Sequence, residues 1–283
     1  MRNDFACFIL CHGHPDNVIT FDTLKKRGYT GKIYIICDDG DKTLPGYISR
    51  FGEENVKIFN KLNILKRMDT MDTSLNRGCA VYARNACFDI ARELGLKYFC
   101  ELDDDYKEFF YRFPDGDKLG YCYPSNLDEM FETILTYLEG NHQITSIALC
   151  QGGDLIGGVD SFDAINLKRK CMNSWFCSVD REFTFNGRMN DDVNTYCLEG
   201  SRGKIFLTLA SCQINQPLTQ NPNGGMTEMY KSAGTYQKSF YTVMCCPSFV
   251  KVSVIKQRYY RIHHSINWEN ACPKIISEKY KKK

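Results

Sequence analysis

Three consecutive aspartates, Asp103, Asp104 and Asp105, follow directly after an apolar run in the stretch FCELDDDYKEF (99–109). Like charges this close repel one another, and Mg²⁺ or Mn²⁺ removes the repulsion because it takes oxygen ligands. Along an extended chain, Asp103 and Asp105 point to one side and Asp104 to the other. We therefore expect one of Asp103 and Asp105 to hold a metal ion and the other to reach a ribose hydroxyl or a metal-bound water. The simpler alternative is a solvated acidic turn.

A second acidic pair, Asp191 and Asp192, stands in NDDVNTY (190–196) at the start of a helical-looking segment. Carboxylates in the first turn of a helix are stabilised by the helix dipole and can still face a cleft. The sequence favours Asp192 only slightly over Asp191 as a functional group, and a helix cap is the structural alternative.

Cations and aromatic residues concentrate near the carboxyl-terminal end. The stretch KVSVIKQRYYR (251–261) includes Arg258 and Arg261, and the segment 215–238, which is rich in turn formers, contains Lys231, Tyr236 and Lys238. Lysine and arginine bind phosphates, and aromatic rings can stack on an extruded base. Both segments are candidate surfaces for binding a nucleic-acid acceptor. The segment 251–261 is equally consistent with a solvated strand edge.

Apolar runs and helical periodicities alternate in the first half of the chain. Short apolar runs predict four strands, and helical spacing closed by Gly28 or Gly95 predicts helices near 18–27 and 79–94. The predicted strands are FACFIL (5–10), KIYIIC (32–37), VKIF (56–59) and KYFCEL (97–102). Such alternation predicts a mostly parallel α/β sheet whose ligands bind at the carboxyl ends of the strands, where DDGD (38–41) and the three aspartates lie.

The second half is more mixed. A helix is expected from Asn126 to Gly140, and strands at 146–150 and 204–209. The stretch 171–196 is rich in turns, and 215–238 is expected to be a long loop. The sequence has no internal repeat and no clear linker, so we predict one domain over residues 1–283.

Composition limits the class of protein. The net charge of +2 gives no general attraction to polyanions, and the 15 cysteines are scattered without zinc-site spacing. No apolar run approaches the roughly 20 residues of a membrane span, and no signal-peptide pattern is present. We therefore expect a cytoplasmic protein with no membrane partner. The sequence does not indicate an oligomeric state.

Several motifs, in their order, resemble the GT-A glycosyltransferases, which use nucleotide-sugar donors and a D-x-D metal motif. These are ICDDGDKT, VYARNACFDIA and LDDD, within residues 5–106. The stretches RMNDDVNTYCLEGSRGKIFLTL and GGMTEMYKSAGTYQKSFY are similar to the TET/JBP-associated glycosyltransferases, bacteriophage-type enzymes that glycosylate hydroxymethylated pyrimidines in DNA. The resemblance covers nearly the whole chain. It implies a Rossmann-like, mixed, mostly parallel sheet flanked by helices, with a donor half (1–110) and an acceptor half (111–283).

The resemblance also implies roles for individual residues. Asp38 or Asp39 would contact uracil, and Asp192 or Asp191 would deprotonate or orient the acceptor hydroxyl. His263 or His264 would complete the metal site, and an imidazole ligand favours Mn²⁺ over Mg²⁺. The remaining implied donor contacts are His12, Arg84, Asn85 and Asp103.

The expected reaction is transfer of a sugar from a UDP-sugar to 5-hydroxymethylcytosine, or another hydroxymethylated pyrimidine, in phage DNA. Two alternatives remain open: a GT-A enzyme with a polysaccharide or protein acceptor, and a non-catalytic nucleotide-binding module. A nucleotidyltransferase is less favoured because no glycine-rich phosphate loop lies near the amino terminus.

Overall fold

The computed structural model describes residues 1–73, 78–162, 170–216, 226–256 and 260–271, with only the backbone given for 226–235. Within these residues the chain forms eleven strands and nine α-helices. The strands are β1 (Phe5–Leu10), β2 (Lys32–Asp38), β3 (Val56–Phe59), β4 (Tyr98–Asp103), β5 (Glu108–Asp115), β6 (Lys118–Cys122), β7 (Ile144–Cys150), β8 (Trp175–Ser178), β9 (Ile205–Asn215), β10 (Val250–Lys256) and β11 (Tyr260–Ile266). The helices are α1 (Ile19–Lys26), α2 (Leu44–Phe51), α3 (Lys61–Leu65), α4 (Val81–Glu93), α5 (Leu127–Gly140), α6 (Val159–Phe162), α7 (Asp191–Ser201), α8 (Met226–Cys245) and α9 (Trp268–Ala271).

Nine strands form one sheet in the order β3-β2-β1-β4-β8-β7-β9-β5-β6. The pairings β1–β2, β1–β4, β2–β3 and β7–β9 are parallel, whereas β8 and β5 are antiparallel to both of their neighbours. Seven strands therefore run in one direction and two run against it. The prediction of a mixed, mostly parallel α/β sheet flanked by helices is confirmed.

Two apolar layers cover the two faces of the sheet. One face packs against α1, α2 and α5, as the burial of Leu24, Tyr47 and Phe131 shows. The other packs against α4 and α7, with Phe88 and Tyr196 among its buried residues. Strands buried on both faces, such as β1, are apolar throughout because they expose no face to water.

Two sequence predictions require correction, and one further element was missed. The turn-rich stretch 171–196 contains β8, a strand of four residues that is too short to show a period and that is inserted between β4 and β7. The hairpin formed by β5 and β6 was not predicted. The segment expected to be a loop, 215–238, is helical from Met226 onward, while residues 217–225 lie outside the described part of the chain.

Helix α8 is stabilised by tertiary contacts that outweigh its many turn-forming residues. Ser239, Tyr241 and Thr242 are buried on it. Ser239 Oγ donates a hydrogen bond to the carbonyl oxygen of Ile262, 2.9 Å away on β11. The strands β10 and β11 form a separate antiparallel pair, which α8 covers. Among the described residues, no helix is both long and apolar enough to cross a bilayer.

Candidate active site

The aspartate cluster lies where β4 ends at the carboxyl edge of the sheet. Asp103 is the last residue of β4, and Asp104 and Asp105 form a turn. Thr20, at the start of α1, holds this turn: its hydroxyl donates to the carbonyl oxygen of Asp103 (2.6 Å) and accepts from the amide of Tyr106 (2.8 Å). The amide of Thr20 donates to the carbonyl oxygen of Asp104 (3.0 Å).

This geometry corrects one premise of the sequence analysis. Side chains alternate only as far as the strand extends, so alternation places Glu101 and Asp103 on one face but does not orient Asp104 and Asp105. Phe99, which shares that face, packs in the apolar layer of α4 and α7. Glu101 and Asp103 therefore point toward α4.

Arg84 of α4 lies at the centre of the acidic site. Its guanidinium contacts Asp103 (Nη2 to Oδ1, 3.1 Å) and Asp191 (Nε to Oδ2, 3.0 Å). Glu101 lies on its remaining side, with 3.7 Å between Nη1 and Oε2. The Arg84 side chain is only 5% exposed and Glu101 is fully buried. One buried cation thus joins the aspartate cluster of β4 to the acidic start of α7.

The carboxylates of this site outnumber its cations. Burial raises the pKa of Asp104 to about 7 and that of Asp105 to about 6, and neighbouring carboxylates add to both shifts. Burial also raises the pKa of Asp103, against the opposing effect of Arg84. Neither Asp104 nor Asp105 forms an ion pair with a described residue. Excess carboxylate oxygens at a strand end fit a hard divalent cation, which needs only one or two protein carboxylates when donor phosphates and water supply the rest.

The two histidines lie on β11, within the hairpin rather than after it. Their rings stack with centroids 4.2 Å apart, and burial lowers the pKa of both, that of His264 to about 4. Arg261 and Lys238 lower the pKa of His263 further, and His263 and Lys238 lower that of His264. In the described ranges, no three His, Cys, Asp or Glu side chains are grouped to hold a metal ion. A metal-ligand role for His263 or His264 therefore stays a prediction.

Asp192 lies in the first turn of α7, beside α8. Asn190, just before α7, adopts a left-handed backbone (φ 51°), and its side-chain Nδ2 donates to the carbonyl oxygen of Lys238 on α8 (2.8 Å). Burial raises the pKa of Asp192 to about 6, and the Asp191 carboxylate raises it further, against Arg84 and Lys238. Asp191 is neutralised by Arg84. Asp192 is thus the carboxylate of the pair whose proton affinity suits a general base near neutral pH.

The segments after β1 and β3 meet at Asp38, the last residue of β2. His12 Nδ1 lies 2.8 Å and Lys61 Nζ 3.0 Å from Asp38 Oδ2. Although burial acts to raise the pKa of Asp38, these two partners lower it to about 2, and the hydrogen bond to Asp38 raises the pKa of His12. Asp39 is exposed and accepts a hydrogen bond from the side chain of Asn60. Asp39 is therefore the more accessible of the two candidates for a base contact.

Asn85 supports the site without facing it. Its Nδ2 donates to the carbonyl oxygens of Val81 (3.0 Å) and Phe185 (2.9 Å), and its Oδ1 accepts from the amide of Phe185 (2.9 Å). Both amide hydrogens are thus used inside the protein, and a contact between Asn85 and the donor stays a prediction. Its two bonds to Phe185 position the segment that leads to Asp191.

The predicted acceptor residues are partly brought together. Lys238 interacts electrostatically with Asp192 and with Arg261, and burial lowers its pKa. Tyr236 is exposed and packs against Phe240, with ring centroids 4.6 Å apart. Arg258 and the side chain of Lys231 lie outside the described residues.

Three contributors were not identified from the sequence: Thr20, Lys61 and Glu101. Thr20 stands at the start of a predicted helix, where hydroxyl residues are common caps. Glu101 is a carboxylate inside an otherwise apolar strand. Because a buried acid requires a partner, this position could have indicated a buried cation next to it. Lys61 carries no comparable signal, because its contact with Asp38 arises from tertiary structure.

The raised pKa values predict a pH dependence of stability in the absence of metal. Asp104 and Asp105 bind protons more tightly in the folded chain than in the unfolded chain, where the pKa of aspartate is about 3.9. Stability should therefore rise as the pH falls through about 7 and 6. Urea unfolding in EDTA at about pH 8 and pH 5.5 measures this rise. Asp105→Asn should reduce it, and an identical pH dependence in the two proteins would contradict the assignment.

A mixed α/β sheet, with an acidic cluster at a strand end facing the acidic start of a later helix, is the arrangement of a GT-A glycosyltransferase. A model of the TET-associated glycosyltransferase family matches residues 5–225, so the chain belongs to that family. No curated protein sequence matches the chain.

Solved structures show distant similarity. Glucosyl-3-phosphoglycerate synthase from Mycobacterium tuberculosis, in complex with Mn²⁺, UDP and phosphoglyceric acid, aligns with a TM-score of 0.47 and 10% identity. That alignment covers 93% of this chain and 87% of the synthase. Mannosyltransferase PcManGT from Pyrobaculum calidifontis, in complex with GDP-Man and Mn²⁺, aligns with a TM-score of 0.49 and 10% identity over 78% of this chain and 59% of that one.

Proposed function

We propose that this glycosyltransferase transfers a sugar from a UDP-sugar to a hydroxymethylated pyrimidine in DNA, most readily 5-hydroxymethylcytosine, in a reaction that requires Mn²⁺ or Mg²⁺. The observation that carries the proposal is the position of Arg84 between Asp103 and Asp191. Its contacts of 3.1 and 3.0 Å hold a donor-side carboxylate and the start of α7 against one another. A donor bound at the end of β4 would then lie beside Asp192.

The donor end is assigned to the carboxyl edge of β1, β2 and β4. Asp105 and Asp103 would hold the metal ion, with His263 or His264 as a further ligand, and Asp39 would accept from the base. When bound, a divalent ion stabilises the charge that develops on the departing diphosphate. His12 and Lys61 are both paired with Asp38, and His12 Nδ1 also lies 3.6 Å from Asp41 Oδ2. The two carboxylates balance the two cations, so this group would flank the nucleotide without adding net attraction.

Asp192 is assigned as the residue that accepts or orients the proton of the acceptor hydroxyl. Its pKa of about 6 keeps it largely ionised at neutral pH while still giving it useful basicity. Asp191 holds the start of α7 through Arg84. Lys238 and Arg261 would place positive charge where the DNA backbone approaches Asp192.

Asp192→Asn should lower the turnover number by about 10²- to 10⁴-fold, because the amide cannot accept the proton. Metal-dependent UDP binding should be unchanged, since Asp192 is assigned to the acceptor. Steady-state kinetics and calorimetric titration with UDP and Mn²⁺ provide the two readouts.

Asp191→Asn is the matched control. It should lose stability, because Asp191 neutralises Arg84, and should retain more turnover than Asp192→Asn. The opposite ranking of turnover, with both variants folded, would exchange the two roles.

Release of UDP from a UDP-sugar tests the reaction class. We expect release that depends on Mn²⁺ and increases when hydroxymethylated DNA is added, together with a gel shift of that DNA that is lost at high salt. An increase only with a polysaccharide or protein would support the other acceptor class. UDP binding without release under any condition would instead support a non-catalytic module.

A further inference from the structure

The hairpin of β5 and β6 carries an exposed cluster of aromatic and arginine side chains at the outer end of the sheet. Tyr111 pairs with Cys122 and Arg112 with Tyr121, so the alternate residues Phe110, Arg112 and Tyr121 share one face of the hairpin. Tyr123, the residue after β6, lies against Phe110. The Phe110 ring lies 5.2 Å from that of Tyr121 and 5.4 Å from that of Tyr123, centroid to centroid. We call these four residues the aromatic platform.

Guanidinium groups are interleaved with the rings of the aromatic platform. Arg112 Cζ lies 5.2 Å from the centroid of the Tyr121 ring, and Arg27 Cζ lies 4.1 Å from that of Tyr123. Arg27 is neutralised by Glu108. Arg112 hydrogen bonds to Gln213 and has no ion-pair partner in the part of the chain that the structure describes. The platform thus presents aromatic rings in edge-to-face and tilted contact and one uncompensated positive charge.

The core of the protein does not account for these rings. Tyr121 is 55% and Tyr123 51% exposed. They lie on or next to β6, the terminal strand of the sheet formed by the described residues. Adjacent exposed aromatic residues on such an edge indicate a binding surface.

The aromatic platform also lies close to the candidate active site. Phe110 is five residues after Asp105, so their Cα atoms are at most roughly 18 Å apart. Leu119, on the same face of the hairpin, packs with Cys150 and Ala210. Ala148, two residues before Cys150 on β7, packs in the layer of α4 and α7. The platform therefore faces the same side of the sheet as α7, which carries Asp191 and Asp192.

We propose that the aromatic platform binds unpaired bases of single-stranded DNA next to the site of sugar transfer. This inference rests on the proposed DNA acceptor. Tyrosine and phenylalanine rings stack on any base through its π face, and Arg112 complements the phosphate charge. An uncompensated guanidinium among the rings favours an anionic strand over a neutral oligosaccharide. A single-stranded segment held here would keep its target base unpaired and accessible to Asp192.

Fluorescence anisotropy with an unmodified single-stranded oligonucleotide, without UDP-sugar, tests the inference. Tyr121→Ala and Tyr123→Ala should each weaken binding by about 5- to 150-fold. A 2-aminopurine base in the oligonucleotide should be quenched by the wild-type protein and less so by the variants. Arg112→Met should reduce the slope of log affinity against log salt by about 0.7, the value for one phosphate contact on a single strand.

Tyr137→Ala is the matched control, because Tyr137 is 46% exposed on α5, which packs on the other face of the sheet. It should bind as the wild type does. Wild-type affinity in the Tyr121→Ala, Tyr123→Ala double variant would overturn the inference, as would tyrosine-dependent binding of a neutral oligosaccharide in place of DNA. If the tyrosines prove necessary for binding but no DNA is ever glycosylated, the binding of DNA by the aromatic platform is supported and the proposed function is contradicted.

Discussion

Replacing Asp105 with alanine is expected to abolish sugar transfer and Mn²⁺-dependent UDP binding while the protein stays folded. Asp105 lies in the turn after β4 and forms no ion pair with a described residue. Burial raises its pKa more than nearby Lys107 lowers it, so its carboxylate is not expected to stabilise the metal-free chain. Loss of a carboxylate that holds a metal ion against the leaving diphosphate should lower turnover by on the order of 10³-fold. Steady-state kinetics measures the turnover, calorimetry with UDP and Mn²⁺ measures the binding of UDP, and urea unfolding measures the stability.

Asp104→Asn is the control for this prediction, since it changes the neighbouring carboxylate of the same turn. We expect it to keep most of the activity. Because strand alternation ends at Asp103, the turn itself decides which carboxylate faces the donor. Inactivity of Asp104→Asn with an active Asp105→Ala would assign the metal to Asp104. Unfolding of Asp105→Ala would return the cluster to a structural role.

Replacing Arg84 with methionine should produce the largest loss of stability. The substitution leaves Glu101, Asp103 and Asp191 without their shared cation in a buried site, which costs about 3–5 kcal/mol in comparable cases. The freed carboxylates would bind protons more tightly when folded than when unfolded. The lost stability should therefore partly return as the pH falls from about 8 to 5.5.

Arg92→Met on the same helix is the matched control. Its side chain is 41% exposed in a surface ion-pair network with Asp89 and Glu182. The substitution should therefore lower the free energy of unfolding by less than about 1 kcal/mol. Arg84→Lys should have a stability between those of the wild type and Arg84→Met, because lysine keeps the charge but loses the contacts of the planar guanidinium. Equal losses for Arg84→Met and Arg92→Met would contradict the central position of Arg84.

Local patterns were sufficient to predict the first half of the fold. The four apolar runs became β1 to β4, and the glycines expected to end helices, Gly28 and Gly95, adopt positive φ angles of 76° and 66° just past α1 and α4. The carboxyl-edge position of the aspartates followed from this topology. The division into donor and acceptor halves stays a prediction, because strands from both halves share one sheet.

Features that depend on long-range packing were not predictable. The strand β8 has four residues and is defined by its antiparallel neighbours, and α8 contains turn-forming residues that are stabilised by β11. The role of Arg84 depends on side chains of α4, β4 and α7, which are distant in sequence. The hydrogen bonds of Asn85 to Phe185 likewise join residues 100 positions apart.

The most direct measurement of the central claim is mass spectrometry of nucleosides after incubation with Mn²⁺ and several UDP-sugars. Hydroxymethylated, methylated and unmodified DNA serve as parallel acceptors. The proposed function predicts one added sugar on the hydroxymethylated pyrimidine alone, lost in EDTA and in Asp105→Ala. Unmodified nucleosides in every DNA, together with sugar transfer to a polysaccharide or protein, would contradict it.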